Sequence, residues 1–134
     1  TDDIVVIQIN PIVRSGAPKT PQDIQNRMNE ITFNGSLLKE LRAIDFVDRL
    51  IQEGKLSQDD YRQVRIHIVE NEAELNLLGA SSKLNTEWAF LTKLRDMGRD
   101  TAARWLEQAV PHIGKQGTVD LREMFQGIGG QHQG

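Results

Sequence analysis

Residues 4–9 constrain the fold more than any other part of the chain. They read Ile-Val-Val-Ile-Gln-Ile, which is rich in β-branched residues and almost continuously apolar. A strand covered on one face alternates between apolar and polar side chains, whereas a strand inside a parallel sheet is covered on both faces. Asn10 and Pro11 end the run, and the breakers within residues 14–19 predict a loop. We therefore predict a buried parallel-sheet strand over residues 4–9.

A long helix is predicted to follow, over residues 21–53. Thr20 is a suitable N-cap, Pro21 fits the first helical position, and apolar residues then recur at helical spacing. Asn34 and Gly35 are the weak point, and Ser36 could cap a new start. The segment is thus one long kinked helix or two abutting ones. Asn-Gly can also form a hairpin turn, but the helical periodicity on both sides argues against one.

A second strand is predicted over residues 63–69, where apolar and polar residues alternate. Strand, helix and strand form a βαβ unit, which should be parallel and right-handed. Two strands are too few for a self-sufficient sheet. We therefore expect the missing strands to come from upstream sequence or from another subunit. The absence of an initiator Met before the first strand suggests the same.

The remainder of the chain is predicted to be helical, which makes the whole an α/β fragment that is mostly helical. Three or four helices should follow the βαβ unit, with Gly98 as the C-cap residue of the second; they span residues 71–78, 85–97, 102–109 and 120–125. Residues 1–126 then form one unit. Residues 127–134 are a Gly-rich tail that we expect to be disordered.

Composition narrows the classes of function. Sixteen basic against 19 acidic residues give a net charge of -3, which disfavours nucleic-acid binding. The absence of cysteine excludes disulfides, thiolate nucleophiles and Cys-based zinc sites. The longest apolar run is far too short to span a membrane, and the first residues lack the basic region of a signal peptide. We predict a cytoplasmic location and leave peripheral membrane contact open.

The serines do not form a recognisable nucleophile site. The chain has five, Ser15, Ser36, Ser57, Ser81 and Ser82, and none lies in the Gly-x-Ser-x-Gly turn that exposes a hydroxyl above a sheet. The nearest approach is residues 79–83, where Lys83 replaces the second glycine and the preceding segment is a helix. A helix-capping turn explains it better.

The histidines and the glycines of the tail are also explained without a site. His67 and Glu70 would face opposite sides of a strand, so a hydrogen-bonded structural histidine is favoured over a metal ligand. His112 follows Pro111 at a helix end, where a carbonyl partner suffices. His132 lies in the tail. Residues 127–130 resemble a phosphate loop in composition only, because no helix follows them.

Charged and aromatic clusters have ordinary explanations as well. Asp45 and Asp48, with Arg42 and Arg49, predict ion pairs along a solvated helix face. Three further arginines surround two tryptophans among residues of mixed charge, which indicates surface pairing; they are Arg95, Arg99 and Arg104, with Trp88 and Trp105. The tryptophans are predicted to be core. The sequence therefore predicts no catalytic, cofactor or metal site in this chain.

Several stretches together resemble the C-terminal part of bacterial patatin-like phospholipases. They are residues 4–11 (IVVIQINP), 29–34 (NEITFN), 36–44 (SLLKELRAI), 81–85 (SSKLN), 94–99 (LRDMGR) and 103–106 (ARWL). The Ser-Thr-Val-Asp pattern expected near the end of that family appears as Gly117-Thr118-Val119-Asp120. The similarity extends from Asp3 to about Phe125, in the family's order.

The resemblance implies a parent enzyme that hydrolyses lipid acyl esters with a Ser–Asp dyad and no cofactor. That serine lies in Gly-x-Ser-x-Gly and that aspartate in Asp-Gly-Gly or Asp-Gly-Ala, and this chain contains neither motif. Both should lie upstream, so we predict this chain alone to be inactive. Its partners would be the upstream catalytic part and, through the full-length protein, a lipid or ester substrate.

A second hypothesis is a self-standing helical module for protein interaction or dimerisation. An independent domain rarely opens in a fully buried strand, which favours the first hypothesis. If the isolated segment folds, it should form a homo-oligomer that covers the open edges of its strands. A peripheral membrane segment would need a basic amphipathic helix, and the mixed charge of residues 21–53 does not favour one.

Overall fold

A computed structural model describes residues 2–13, 16–78, 82 and 84–129, the last three by their backbone alone. Two strands and four helices follow one another along these residues: β1 (Asp3–Ile7), α1 (Pro21–Gln52), β2 (Arg65–Val69), α2 (Glu72–Leu75), α3 (Trp88–Ala109) and α4 (Leu121–Gly129). The predicted mostly helical α/β architecture with a parallel strand–helix–strand unit is confirmed.

The two strands pair in parallel, as predicted, with Asp3 opposite Arg65 and Ile7 opposite Val69. The last rung is the bond from the Gln8 N–H to the Val69 carbonyl, 2.9 Å. Both strands are shorter than predicted. At the ends of β2, backbone groups expected to pair in the sheet belong to other contacts. The Val64 N–H donates to the Asp48 carboxylate, and the residues after Val69 turn into the cap of α2.

Helix α1 is one continuous helix, so the alternative of two abutting helices is wrong. Thr20 and Asp23 form a reciprocal capping box at its start, with bonds of 3.1 and 3.2 Å. The helix break predicted at Asn34 and Gly35 is absent. A tertiary contact stabilises the helix there, since the buried Asn34 side chain donates to the Pro11 carbonyl at 2.8 Å. This bond ties the middle of the helix to the loop that follows β1.

Helix α3 is also continuous, so the prediction of two helices separated at Gly98 is wrong. Among the described glycines a positive φ occurs at Gly16, Gly54 and Gly114, and not at Gly98. A helical glycine costs roughly 1 kcal/mol relative to alanine. The helix formers on both sides and packing against the sheet are enough to offset this cost.

The outer helices differ from prediction in length. Helix α2 spans four residues, not residues 71–78, and the Asn71 side chain caps it. Gly79, predicted to stop it, lies outside the described residues. Helix α4 begins after Asp120, whose carboxylate accepts from the N–H groups of Arg122 and Glu123. Its backbone continues to Gly129, into the segment predicted as tail, and residues 130–134 lie outside the described part.

The core lies between α1, α4 and one face of the sheet. Its buried members are Leu41 of α1, Ile66 and Ile68 of β2, and Leu121 of α4. Helix α3 packs on the opposite face, where the ring of Trp105 meets His67 edge-on at 6.4 Å between centroids. Strand β2 is therefore covered on both faces. No described helix is long and apolar enough to cross a membrane.

Strand β1 does not reach the burial that its sequence predicts. Ile4 is 41% exposed, Val5 46% and Ile7 73%. The three side chains fall on both faces of the sheet, because successive residues of a strand alternate. Val6 packs against the core, but the described residues leave Ile4 on that face, and Val5 and Ile7 on the other, substantially exposed.

Candidate functional site

An apolar cavity of about 620 Å³ lies between the sheet and α3. It reaches the carboxyl ends of β1 and β2, the edge at which parallel α/β sheets bind their ligands. Its walls are almost entirely aliphatic and aromatic and include Val5, Ile7, Val69, Leu75, Phe90, Leu94, Met97, Trp105 and Leu106. An elongated apolar group is the chemistry that such walls accommodate.

Polar side chains lie at one end of this cavity. Asn71 donates to the Thr101 hydroxyl at 2.8 Å and so links α3 to the end of β2. Partial burial, and then the neighbouring Glu72, raise the pKa of Glu70 above its ordinary value. Gln8 is buried, and its Nε2 donates to the Asn10 carbonyl at 3.1 Å. Its Oε1 has no hydrogen-bond partner among the described residues.

Strand β1 lines the cavity and is an edge strand of the described sheet. The Gln8 N–H points to β2, and backbone groups in a parallel ladder alternate in direction. The N–H and carbonyl groups of Val5 and Ile7 therefore point away from β2, along a free sheet edge. The cavity wall and the free edge are continuous with each other.

A second constellation lies at the other end of the sheet. The ring of His67 is fully buried, with Nε2 3.0 Å from Asp3 Oδ1 and Nδ1 3.1 Å from Thr118 Oγ1. Arg65 donates to both Asp3 oxygens, at 2.9 and 2.8 Å, and the Gly114 N–H donates to Oδ1 at 3.0 Å. One carboxylate thus joins β1, β2 and the turn after α3.

The electrostatics of this constellation fix the direction of its hydrogen bonds. The Arg65 guanidinium above all, then the Gly114 N–H and His67, hold the pKa of Asp3 well below its ordinary range. An ionised carboxylate can only accept, so Nε2 of His67 carries the proton in this bond. In the neutral ring Nδ1 is then an acceptor, and the Thr118 hydroxyl donates to it.

The predicted site residues are mostly dispersed. His67 is hydrogen-bonded, as predicted, and His112 Nδ1 lies 3.0 Å from Gln116 Nε2 at the end of α3. Ser36 donates to the Thr32 carbonyl at 3.4 Å and Ser57 accepts from the Asp59 N–H, while Ser82 lines the apolar cavity. The predictions for Ser15, Ser81, Lys83 and His132 fall outside the described residues.

The acidic residues of α1 pair differently from the prediction. Asp45 lies 3.6 Å from Arg122 of α4, and Asp48 accepts from the Val64 N–H at 3.2 Å. Burial raises the pKa of Asp48 above its ordinary value. Arg42 and Arg49 lie over the rings of Phe125 and Phe46, at 5.1 and 5.4 Å. Asp45, Asp48 and Arg42 thus contact residues outside α1, and Arg49 contacts an aromatic ring within it.

The two tryptophans differ in burial. Trp105 is half-buried against His67 and lines the cavity, whereas Trp88 is 78% exposed, so its prediction as core is wrong. Trp88 is the first residue of α3 and has no element above it in the described part of the chain. Arg95 pairs with its neighbour Asp96 at 2.8 Å, which is ordinary surface pairing.

Sequence reasoning missed Asp3 and Thr118 as partners of His67. They are 64 and 51 residues from it along the chain, and only the strand register and the turn before α4 bring them together. Within the described residues, no three His, Asp or Glu side chains are grouped as metal ligands. No family model, curated protein or solved structure matches the chain.

Proposed function

We propose that this chain is the C-terminal part of a patatin-like serine hydrolase that acts on lipid acyl esters. Its role is to complete the central sheet and to cover it with helices, while the catalytic serine and aspartate belong to the upstream part. The resemblance of its sequence, from Asp3 to about Phe125, to the C-terminal part of that family supports this assignment. The observation that carries it is the state of β1, an apolar strand of which Ile4, Val5 and Ile7 stay 41–73% exposed and which pairs only with β2 among the described residues.

The energetics favour a covering strand. Burial of apolar surface stabilises a protein by roughly 25 cal/mol per Å². The exposed surface of Val5 and Ile7 contributes such stabilisation only when another element covers it. A strand paired in parallel to β1 would bond to their outward N–H and carbonyl groups. Such a strand would make β1 an interior strand, the environment that its continuous apolar sequence predicts.

The apolar cavity fits the same assignment. It lies against β1 and has an apolar wall from α3, and Gln8, Glu70 and Asn71 contribute polar side chains just after the two strands. In the assembled hydrolase, α3 would form part of the wall along which the acyl chain enters. The polar side chains after the strands would then lie near the carbonyl group of the ester.

Amide hydrogen exchange tests the assembly. In this chain alone, the amides of Val5 and Ile7 should exchange rapidly, whereas that of Gln8, bonded to Val69, should be protected. In the full-length polypeptide all three should be protected. Val5 and Ile7 amides that exchange as fast in the full-length polypeptide as in this chain would contradict the proposal.

The free edge also favours a second candidate, a dimerisation module without enzymatic activity. Two copies of β1 related by a two-fold axis at Val5 could pair antiparallel through the same outward groups, with Asp3 opposite Ile7 of the other copy. Sedimentation of this chain over a range of concentrations tests it. A dimer that Ile7→Lys dissociates would support this candidate, and a monomer at all concentrations would contradict it.

A further inference from the structure

We propose that Thr118 is an acyl-accepting hydroxyl, that His67 is its general base, and that Asp3 is the positioning residue for His67. The acyl donors are small activated esters with a good leaving group, such as aryl acetates. This reactivity belongs to the chain itself and does not depend on the serine of a parent hydrolase. Its basis is the hydrogen-bonded series Thr118–His67–Asp3, with spacings of 3.1 and 3.0 Å.

The series has the connectivity that activates a hydroxyl nucleophile. A base must be within hydrogen-bond reach of the hydroxyl, and a third group must orient the base. Asp3 fixes the proton of His67 on Nε2, so Nδ1 faces Thr118 as an acceptor. Asp3 is itself held by two bonds from Arg65 and one from the Gly114 N–H.

Thr118 is the member of the series that a reagent can reach. Thr118 is an exposed residue, whereas the His67 ring is fully buried. A reagent that reaches the series from solvent therefore meets Thr118 before His67. Thr118 also lines a mainly polar cleft of about 600 Å³, whose walls include Gln63, Lys115, Gln116 and Arg122.

The backbone around Thr118 is held firmly against β2. The Thr118 N–H donates to the Ile66 carbonyl at 3.1 Å. Gly117 permits this approach, because a Cβ there would lie 3.1 Å from the same carbonyl oxygen. The hydroxyl is thus positioned by a rigid strand edge and not by a free loop.

The step is a balanced acyl transfer. Oγ1 of Thr118 forms a bond to the acyl carbon, its proton passes to Nδ1 of His67, and the bond from the acyl carbon to the aryl oxygen breaks. The aryl oxide leaves as an anion with the electron pair of that bond. A good leaving group needs no proton from the buried ring, which is why the proposal is limited to activated esters.

The test is acetylation of the 134-residue chain by p-nitrophenyl acetate, with peptide mapping by mass spectrometry. General-base assistance contributes about 10²-fold or more, so Thr118 should be acetylated roughly 100-fold faster than Thr32. Thr32 is the matched control, since it is exposed and its hydroxyl donates to a backbone carbonyl, that of Met28. Thr118→Ser should keep the fast acetylation, and Thr118→Val should abolish it.

His67→Gln provides an independent arm, provided that its circular dichroism matches that of the unmodified chain. It should reduce acetylation of Thr118 to the rate of Thr32. Thr118 is exposed, so the Ser and Val variants stay informative even where the buried His67 variant fails to fold. Acetylation of Thr118 no faster than Thr32, or a Ser variant as unreactive as Val, would overturn the proposal.

Discussion

Replacing Leu41 with alanine removes the least exposed apolar side chain of α1, at 2% exposure, from the contact with Ile66, Ile68 and Leu121. The substitution removes three buried carbon atoms with their hydrogens. At about 0.8 kcal/mol of burial free energy for each, the loss is about 2.4 kcal/mol, before the cost of any cavity is added. Incomplete collapse raises the usual range to about 2–5 kcal/mol. We therefore expect Leu41→Ala to lower the unfolding free energy by about 3 kcal/mol, and Tm by roughly 10 °C for a chain of this size.

Ile31→Ala is the matched control on the same helix. Ile31 is 63% exposed, and alanine is the better helix former, so its effect should stay within about 0.5 kcal/mol. Urea unfolding followed by circular dichroism compares the two variants. If they differ by less than about 1 kcal/mol, the face of α1 that we assign to the core is not the one that packs on the sheet.

Three further changes test separate contacts. Arg65, the Gly114 N–H and His67 depress the pKa of Asp3, so its stabilisation is present above about pH 4 and lost as pH falls further. Asp3→Asn should therefore make Tm fall less steeply as the pH is lowered below about 4. A fall as steep as that of the unmodified chain would refute this. Gly98→Ala should raise the unfolding free energy by about 0.5–1 kcal/mol, because open space surrounds its Cβ position. Gly117→Ala should lower it by about 1–3 kcal/mol, since the added Cβ would press on the Ile66 backbone; denaturant unfolding that gives both glycine variants the same sign would contradict the packing.

The strand–helix–strand unit could be predicted because its signals are local. Continuous apolar character marked β1, and the Thr20 cap with Pro21 marked the start of α1. Helix breaks were less predictable. Asn34 and Gly98 are both weak helix positions, yet a bond to the Pro11 carbonyl holds the first and the second lies within a helix that packs against the sheet. Local propensity is overridden wherever tertiary contacts offset about 1 kcal/mol.

The two candidate sites could not be predicted because they depend on long-range register. Asp3 meets His67 only once β1 pairs with β2 in the observed register, and Thr118 joins them only after the turn beyond α3 returns to Ile66. The cavity similarly requires α3 to lie beside β1. Trp88 shows the converse error, since helical spacing indicates a shared face and not whether another element covers that face.

The most direct test of the central claim is labelling with a fluorophosphonate, which marks activated serines. The full-length polypeptide and this chain are treated side by side, and the modified residue is mapped by mass spectrometry. The proposed function predicts labelling of the full-length polypeptide at a serine outside these 134 residues, and no labelled serine within them. A labelled serine within this chain, or a full-length polypeptide that reacts at no serine, would contradict it.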